Sequence, residues 1–308
     1  MTKISIIIPA YNEEENIKRI YQALKDMLIQ MNKTYEIIFV DDGSIDKTRE
    51  EINKVVSSDE NVKGIIFQRN FGKAAGLAAG WQAAQGDLIV QMDADLQDDP
   101  KEIPRFIEKI NQGYDLVSGW KYKRYDPITK TFPSKIFNWL VSKVTGVKLH
   151  DINCGFKCYK REVIKNIRIY GELHRFIPTL ADWKGFKVGE IKVKHHSRKF
   201  GKSKYGFTRF FKGLCDLATI KYLTQYNNRP LHFFGLIGFL FSLLGFVSGA
   251  YLVYLKIIGD SISNRPLLFL TVLLIFLGAQ FFSLGLIAEM LTSKDNKDPY
   301  VIREVIKK

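Results

Sequence analysis

Two long uncharged runs near the C-terminus constrain the fold of this chain more than any other feature. Between Leu231 and Leu255 the only side chain that can carry a charge near neutral pH is His232, and the run from Pro266 to Ala288 carries none. Each run exceeds the ~20 apolar residues that a helix needs to cross a bilayer. The alternative, two buried core helices, is weak for runs this long. We therefore predict two transmembrane helices, 231–255 and 266–290, within a membrane segment of residues 231–291.

The basic residues around these runs predict how the pair lies in the membrane. The connector of residues 256–265 is short, so the two helices form a hairpin, and its only basic residues are Lys256 and Arg265. More basic residues flank the pair on the other side: Lys221, Arg229, Lys294, Lys297, Arg303, Lys307 and Lys308. Because basic residues favour the cytoplasmic side, we expect both termini, including a tail of residues 292–308, in the cytoplasm of a multi-pass protein of the cell (inner or plasma) membrane. No signal peptide is expected, because the N-terminal apolar run is too short.

The segment before the first apolar run predicts an amphipathic helix. Apolar residues recur at helical spacing between Phe207 and Leu223, and mostly basic residues take the other side. A basic amphipathic helix next to a membrane span is typical of the bilayer interface, so we assign residues 207–230 to an interfacial helix and linker. The alternative is an ordinary helix that packs on the preceding domain.

Residues 1–206 predict a cytoplasmic α/β domain. Apolar, β-branched segments alternate with helical ones through short connections, which indicates a mostly parallel sheet with helices on its faces. The predicted strands are residues 4–9, 35–40, 62–67, 88–92 and 115–120. The predicted helices among the first four strands are residues 11–31, 47–56 and 72–84, and Ser44 or Asp46 is the expected N-cap of the second.

Four aspartates follow the fourth predicted strand, within the segment LIVQMDADLQDDP of residues 88–100. In open α/β sheets, ligands bind at the carboxyl ends of the strands. Asp93 and Asp95 are two residues apart, so in an extended segment both carboxylates face one way and can hold one cation. Oxygen ligands in small number suit Mg²⁺ or Mn²⁺ held together with substrate phosphates. The alternative is a solvated acidic loop that caps the helix beginning at Pro100.

Polar residues also follow the other three strands. They are Tyr11 to Glu13, Asp41 with Asp42, and Arg69 with Asn70. Four polar strand ends at one edge of a sheet indicate a nucleotide site. The chain contains neither G-x-x-x-x-G-K-[ST] nor G-x-G-x-x-G, so a P-loop or a dinucleotide fingerprint is not supported.

The order of motifs resembles family 2 inverting glycosyltransferases with the GT-A fold. The first four motifs are I-I-I-P-A-Y-N-E-E at 6–14, V-D-D-G-S at 40–44, R-N-F-G-K at 69–73 and D-A-D-L-Q at 93–97. Three later motifs resemble polyprenyl-phosphate glycosyltransferases of the dolichyl-phosphate mannose synthase and bacterial undecaprenyl-phosphate glucosyltransferase type: H-D-I-N-C-G-F-K at 150–157, R-F-I-P at 175–178 and H-H-S-R-K-F-G-K-S-K-Y-G at 195–206. The resemblance covers residues 3–225 closely, and the two-helix tail matches the bacterial branch.

The resemblance implies a nucleotide-sugar donor, a polyprenyl phosphate acceptor, membrane lipid as surroundings, and a set of site residues. Donor-binding residues would be Pro9, Tyr11, Glu13, Asp41, Asp42, Lys73, Asp93 and Gln97. Asp93 and Asp95 would hold Mg²⁺ or Mn²⁺ against the diphosphate, and Asp95 would thereby be catalytic. Asp151 would lie near the acceptor as the proposed base, although a turn or N-cap aspartate is the structural alternative. A lipid phosphate is mostly dianionic at pH 7, since its second pKa is about 6, so orienting the acceptor is an equally good role for Asp151.

A dianionic acceptor that approaches a sugar diphosphate also needs a basic cluster. The candidates for binding the acceptor phosphate are Lys121, Lys130, Ser134, Arg198 and Lys202. The family often has Arg where this chain has Lys121 and Lys130, and Lys lacks the bidentate grip of Arg on phosphate. Solvated surface bases, or bases attracted to anionic lipid, are the alternative.

The predicted reaction is transfer of one sugar, from a UDP-hexose such as UDP-glucose, to undecaprenyl phosphate with inversion. A GDP-mannose-dependent enzyme and a catalytically inactive nucleotide-sugar-binding membrane protein are the alternatives. A processive polysaccharide synthase is disfavoured, because the chain lacks a Q-x-x-R-W signature and two spans make a poor channel. Glycines in the hairpin allow close helix contact, so a homo-oligomer is possible: Gly245, Gly249, Gly278 and Gly285.

Overall fold

The computed structural model describes residues 3–122, 138–196, 209–226, 229–262 and 266–294. Four of the predicted acceptor-site residues lie outside the described residues: Lys130, Ser134, Arg198 and Lys202. The chain divides into two compact units, Met1–Ile220 and Lys221–Lys308. The boundaries that we predict at residues 206 and 230 stay a prediction.

The described residues of the first unit contain seven strands. They are β1 (Ile4–Ala10), β2 (Tyr35–Asp41), β3 (Val62–Ile66), β4 (Leu88–Gln91), β5 (Leu116–Lys121), β6 (Lys157–Lys160) and β7 (Val188–Val193). The helices of this unit are α1 (Glu14–Gln30), α2 (Thr48–Ser58), α3 (Lys73–Ala83), α4 (Ile103–Asn111), α5 (138–145), α6 (Arg161–Asn166) and α7 (Ile177–Trp183). Helix α8 (Arg209–Gln225) crosses the boundary between the units, and α9 (Pro230–Ile257) and α10 (Pro266–Lys294) belong to the second.

The strands form one sheet in the order β3-β2-β1-β4-β6-β5-β7. Strand β6 is antiparallel to both of its neighbours, β4 and β5, whereas the other pairs are parallel. The expectation of a mostly parallel sheet with flanking helices is therefore confirmed. The chain leaves β1 towards β2 and β3 and then returns to place β4 on the other side of β1. This reversal is a topological switch point, where open α/β sheets bind ligands at the carboxyl ends of the strands.

The core of the sheet follows from its sequence. Strand β1 is a run of isoleucines that is buried on both faces, as expected for a parallel strand covered by helices. In α1 the residues at helical spacing are all buried: Ile17, Ile20, Leu24 and Leu28. In α3 the small residues serve close packing, because a Cβ on Gly80 would lie 2.4 Å from the Ile7 side chain. Helix α3 therefore lies directly against the strand that leads into the site.

Two helix starts differ from the sequence prediction. Helix α1 begins at Glu14 rather than Tyr11, because Asn12 has a φ of 53° in the left-handed region and cannot continue a helix. For α2 neither Ser44 nor Asp46 occupies the N-cap position, which is Lys47. The Asp46 carboxylate nevertheless accepts a hydrogen bond from the Thr48 N–H at 3.0 Å and so satisfies one of the free donors of the first turn.

Helix α8 has a buried side in its described part. Leu217 and Ile220 are buried, and Asp216 lies 4.0 Å from the Arg175 guanidinium. Through Asp216 this part of the helix contacts the R-F-I-P segment of the first unit. The position of the helix in the bilayer interface stays a prediction.

The second unit contains the two apolar helices, α9 and α10. Both are long and apolar enough to cross a membrane, and most of their side chains are exposed. They run antiparallel, since Glu289 near the end of α10 accepts a hydrogen bond from the Leu231 N–H at the start of α9, at 3.1 Å. A Cβ on Gly238 would lie 2.8 Å from the Gly278 carbonyl oxygen, so the two backbones are in close contact. The predicted hairpin is thus observed, and its glycines pack within it. Self-association through them stays a prediction.

Candidate active site

The loops after β1 and β2 are tied together at the carboxyl edge of the sheet. The Asn12 N–H donates to Ser44 Oγ at 2.8 Å, and the Ile45 N–H donates back to Asn12 Oδ1 at 3.0 Å. Glu13 is held in the same way, because its N–H donates to Thr48 Oγ1 at 2.8 Å. These bonds form a fixed rim in which Pro9, Tyr11 and Glu13 are all partly exposed.

Asp41 and Asp42 organise the next two loops. Asp41 Oδ1 accepts from the Ser44 N–H at 3.0 Å, and Asp42 accepts from the N–H groups of Phe71 and Gly72 at 2.7 and 2.9 Å. Burial raises the pKa of Asp42, and these two backbone donors oppose that rise. Both carboxyl groups therefore have a structural role. Their predicted contact with the base of the donor stays a prediction.

Only glycine fits between these two loops at position 43. Gly43 has a φ of +69°, and a Cβ there would lie 2.3 Å from the carbonyl carbon of Arg69. This close approach brings the segment after β3 towards the edge where Asp42 holds it. The V-D-D-G-S motif is thus the joint between the second and third strand ends.

Asp93 lies beside Lys73, the first residue of α3. Their side chains form a short ion pair, and 30% of the Asp93 side chain is exposed. Burial would raise the pKa of Asp93, but the Lys73 ammonium outweighs it and lowers that pKa to about 2. Asp93 is therefore a carboxylate at any working pH. The predicted donor residues Lys73 and Asp93 come together, although the sequence separates them by 20 positions.

Asp95 and Gln97 lie in a tight turn after Asp93. Asp95 is 7% exposed, and its Oδ1 accepts from the Gln97 N–H at 3.2 Å. Leu96 between them has a φ of 59°, so the turn is formed by a residue in the left-handed region. Gln97 then meets the start of the H-H-S-R-K motif, because its carbonyl accepts from the His196 N–H at 2.9 Å.

The two aspartates that follow Gln97, Asp98 and Asp99, have different roles. Asp98 is buried, and its Oδ1 lies 3.1 Å from Lys121 Nζ, whose side chain is only 14% exposed. Burial alone would lower the pKa of Lys121, but Asp98, Asp93 and Asp95 raise it, so the ammonium stays charged. Asp99 accepts from the Lys101 N–H at 3.0 Å and caps the turn that begins at Pro100. The capping interpretation thus holds for Asp99, whereas a metal-binding role of Asp93 and Asp95 stays a prediction.

Asp151 lies in the segment before β6 and is 1% exposed. Its N–H donates to Glu190 Oε1 at 3.1 Å. The next glycine along, Gly155, lies against the Asp93 carboxylate, because a Cβ there would be 2.6 Å from Asp93 Oδ2. The H-D-I-N-C-G-F-K motif therefore reaches the acidic site that follows β4.

Two buried basic side chains near Asp93 were not predicted from the sequence. Lys157, at the start of β6, is 1% exposed and donates to the Cys154 carbonyl. Burial lowers its pKa to about 8, while Cys154, Asp151 and Asp93 act in the opposite direction. His174 is 8% exposed, and burial together with the charges of Lys73 and Arg175 lowers its pKa to about 3, so it is neutral. The sequence signal for them is that Lys157 ends the H-D-I-N-C-G-F-K motif and that His174 directly precedes the R-F-I-P motif.

Asp93 and Asp95 fit a divalent cation by the chemistry of their oxygens. Within the described residues, no group of three or more His, Cys, Asp or Glu side chains is arranged to hold a metal by itself. Mg²⁺ and Mn²⁺ sites at phosphates typically use one or two carboxylates, and the substrate and water supply the other ligands. Asp93, which pairs with Lys73, and Asp95 two residues further on match that pattern and could hold Mg²⁺ or Mn²⁺ together with a diphosphate.

Comparison with solved structures supports the same fold. The chain resembles glucosyl-3-phosphoglycerate synthase from Mycobacterium tuberculosis, solved in complex with Mn²⁺, uridine diphosphate and phosphoglyceric acid. The TM-score is 0.57 at 16% identity, and the match covers 72% of this chain and 78% of that one. At this identity the likeness establishes a GT-A-like fold.

Sequence comparisons find relatives with higher sequence identity than these solved structures. The chain is 36% identical over 313 residues to dodecaprenyl-phosphate galacturonate synthase from Rhizobium johnstonii, and the match covers 98% of this chain and 93% of that protein. It is also 36% identical over 290 residues to undecaprenyl-phosphate 4-deoxy-4-formamido-L-arabinose transferase from Photorhabdus laumondii, with 93% and 88% covered. Residues 5–168 match the family described as glycosyl transferase family 2. The chain therefore belongs to glycosyl transferase family 2, and its relatives include enzymes named for sugar transfer to polyprenyl phosphates.

Proposed function

We propose that this chain transfers one sugar from a nucleotide-sugar to polyprenyl (undecaprenyl) phosphate at the cytoplasmic leaflet of the cell membrane. The observation that carries the proposal is the Lys73–Asp93 ion pair beside Asp95 at the switch point of the sheet. It gathers one ammonium and two carboxylates at the place where a diphosphate with its divalent cation would bind. The names of the two relatives support polyprenyl phosphate as the acceptor.

The donor would lie across the carboxyl ends of β1, β2 and β4. Its base and ribose would lie on the rim formed by Pro9, Tyr11 and Glu13, with Asp41 or Asp42 at the edge of the base. Its diphosphate would meet Lys73 and, through the metal, Asp93 and Asp95, with Gln97 alongside. The Mn²⁺ and uridine diphosphate in the mycobacterial structure support a uridine donor and metal dependence. When bound, Mg²⁺ or Mn²⁺ would neutralise the charge that develops on the leaving diphosphate.

The acceptor would arrive from the membrane. The two apolar helices support a membrane enzyme, and the basic residues that flank them favour both termini in the cytoplasm. The isoprenoid tail would stay in lipid while its phosphate enters the site. Lys121 is the one described member of the proposed acceptor group, and the remaining candidates are Lys130, Ser134, Arg198 and Lys202.

The reaction would join a phosphate oxygen of the lipid to the anomeric carbon as the bond from that carbon to the diphosphate oxygen breaks. Attack opposite to the leaving group inverts the configuration. Because a phosphate monoester is mostly dianionic at pH 7, with a second pKa of about 6, it needs little help from a base. We therefore propose that Asp151 orients the acceptor or stabilises the transition state, rather than that it must remove a proton.

The identity of the sugar is the finer part of the proposal. UDP-glucose stays our prediction for the donor. The names of the relatives contain galacturonate and 4-deoxy-4-formamido-L-arabinose, so a uronic acid and a modified aminopentose are further candidates. GDP-mannose is the alternative with another base.

A transfer assay tests the proposal directly. Purified full-length protein in detergent is given undecaprenyl phosphate, Mg²⁺ or Mn²⁺, and a panel of UDP- and GDP-sugars that includes a uronate and an aminopentose. Mass spectrometry of the lipids should show one new mass, equal to the lipid phosphate plus one sugar. If folded protein makes no lipid product with any donor, and EDTA-treated and metal-loaded samples bind UDP equally, both the transfer and the metal assignment are wrong.

The variant Asp95→Asn tests the site within this assay. Replacing one carboxylate by an amide removes a charged metal ligand, so we expect the transfer rate to fall at least ~100-fold. The matched control is Asp26→Asn, on the exposed side of α1, which should keep the wild-type rate. An Asp95→Asn protein that keeps full activity would remove Asp95 from the proposed metal site.

A further inference from the structure

The backbone of the candidate residue Asp151 is held by a carboxylate of β7, the edge strand of the sheet. Glu190, in β7, accepts three hydrogen bonds from the segment of residues 150–151. They come from the His150 N–H at 2.9 Å, the His150 Nδ1 at 2.7 Å and the Asp151 N–H at 3.1 Å. The Glu190 side chain is only 13% exposed, so these bonds are partly shielded from water.

The same two residues are fixed from other directions. The His150 ring stacks on Trp120 with ring centroids 3.9 Å apart and planes 10° from parallel. The His150 carbonyl accepts a hydrogen bond from Asn138 Nδ2 of α5 at 2.9 Å. The backbone at His150 is therefore bound at both its N–H and its carbonyl group, and its side chain is bound at the ring face and the ring edge.

We infer that Glu190 is a positioning residue for sugar transfer: it fixes the backbone of His150 and Asp151 so that the Asp151 side chain is presented to the site in one orientation. The inference rests on the proposed function, because it takes Asp151 to act on the acceptor or the transition state. Strand β7 is suited to this task, since Glu190 lies in register with Ser118 of β5 and so belongs to a rigid part of the sheet. A side chain on a regular strand gives a more reproducible position than one on a loop.

A purely structural role for Glu190 would have a different outcome. If Glu190 only held the fold together, its loss would lower the melting temperature and leave the kcat of the folded protein unchanged. A positioning role predicts a selective loss of kcat, since displacing a catalytic group by about 1 Å costs ~100-fold in rate. The donor site lies on other residues, so the KM for the donor should not change.

The test compares two variants of Glu190 in the full-length protein. Glu190→Ala removes all three acceptor contacts, and we expect kcat to fall ~100-fold with the donor KM within about threefold of wild type. Glu190→Gln keeps the Oε1 that accepts from both backbone N–H groups, so it should restore kcat to within about fivefold. Glu162→Ala, an exposed glutamate in α6, is the matched control.

A second measurement follows the backbone and does not depend on activity. Amide hydrogen exchange of peptides that cover residues 149–153 should quicken in Glu190→Ala and stay slow in Glu190→Gln and the control. Unchanged exchange in Glu190→Ala would overturn the inference, as would wild-type kcat in that variant or equal loss in both variants. An Asp151→Asn protein with wild-type kcat beside an impaired Glu190→Ala would also overturn it, because Glu190 would then not act through Asp151. If the wild-type protein transfers no sugar, the proposed function fails instead, and the exchange result still shows whether Glu190 fixes this segment.

Discussion

Gly155 leaves room for the Asp93 carboxylate, so the substitution Gly155→Ala should lower the activity. A Cβ at position 155 would lie 2.6 Å from Asp93 Oδ2 and 2.9 Å from its Cγ, whereas ordinary contacts begin at 3.4 Å. The difference between 3.4 and 2.6 Å means that the carboxylate must move by about 0.8 Å. A displacement of that size in a catalytic group costs ~100-fold in rate, which corresponds to about 2.7 kcal/mol in activation free energy.

The Asp93 carboxylate is a proposed metal ligand, so its displacement should affect metal-dependent steps in particular. We expect Gly155→Ala to weaken Mn²⁺-dependent UDP binding, measured by titration calorimetry, and to lower kcat in the transfer assay. Overpacking should also destabilise the domain by ~1–3 kcal/mol, so the melting temperature is measured for each variant. Gly235→Ala is the matched control, since a Cβ there meets its nearest atom at 3.7 Å. A folded Gly155→Ala protein with kcat within threefold of wild type would refute the reasoning.

Two further predictions follow from Lys73, which is partly exposed, and from Lys157, which is buried. In Lys73→Met the pKa of Asp93 should rise from about 2, because the Lys73 ammonium no longer opposes the effect of burial. The acidic limb of the pH–rate profile, measured between about pH 4.5 and 8, should therefore move to higher pH. An acidic limb at the wild-type pH would contradict the pairing of Lys73 with Asp93. Lys157 has a folded pKa lowered to about 8, so between that pH and its unfolded value of about 10.5 only the unfolded state binds the proton, and stability rises with pH. In Lys157→Met that rise should disappear from melting temperatures measured at pH 7, 8, 9 and 10, and a parallel pH dependence of the two proteins would show that Lys157 does not titrate there.

The strands and helices that carry the donor side could be predicted because their signals are local. Strand β1 is a run of isoleucines, and α1 has its apolar residues at helical spacing, so each shows its period within a few residues. The acidic end of β4 could be assigned to the edge of the sheet by the rule for parallel strands. The prediction that some of these residues bind a donor came from the family motifs, because the periodicity of the sequence does not supply it.

The elements that complete the sheet carry no such signal. Strand β6 is only four residues long, reads K-C-Y-K, and lies antiparallel between β4 and β5. Its place depends on pairing with residues about 40 to 70 positions away, and neither alternation nor β-branched residues mark so short a segment. Glu190 was missed for the same reason, because its contact with His150 joins two segments that are distant in the sequence.

Lys121, which we predict to bind the acceptor phosphate, has a second role in the folded chain. The charge argument placed it at the acceptor phosphate, because a dianion needs a basic partner. In the folded chain its ammonium pairs with the buried Asp98 and lies close enough to Asp93 and Asp95 for their charges to raise its pKa. Three carboxylates gathered at one sheet edge repel one another, and Lys73 and Lys121 offset that repulsion before any substrate binds. A cation that already stabilises the acidic site cannot bind a phosphate without weakening its hold on Asp98, so the contribution of Lys121 to acceptor binding should be smaller than that of a solvent-facing base.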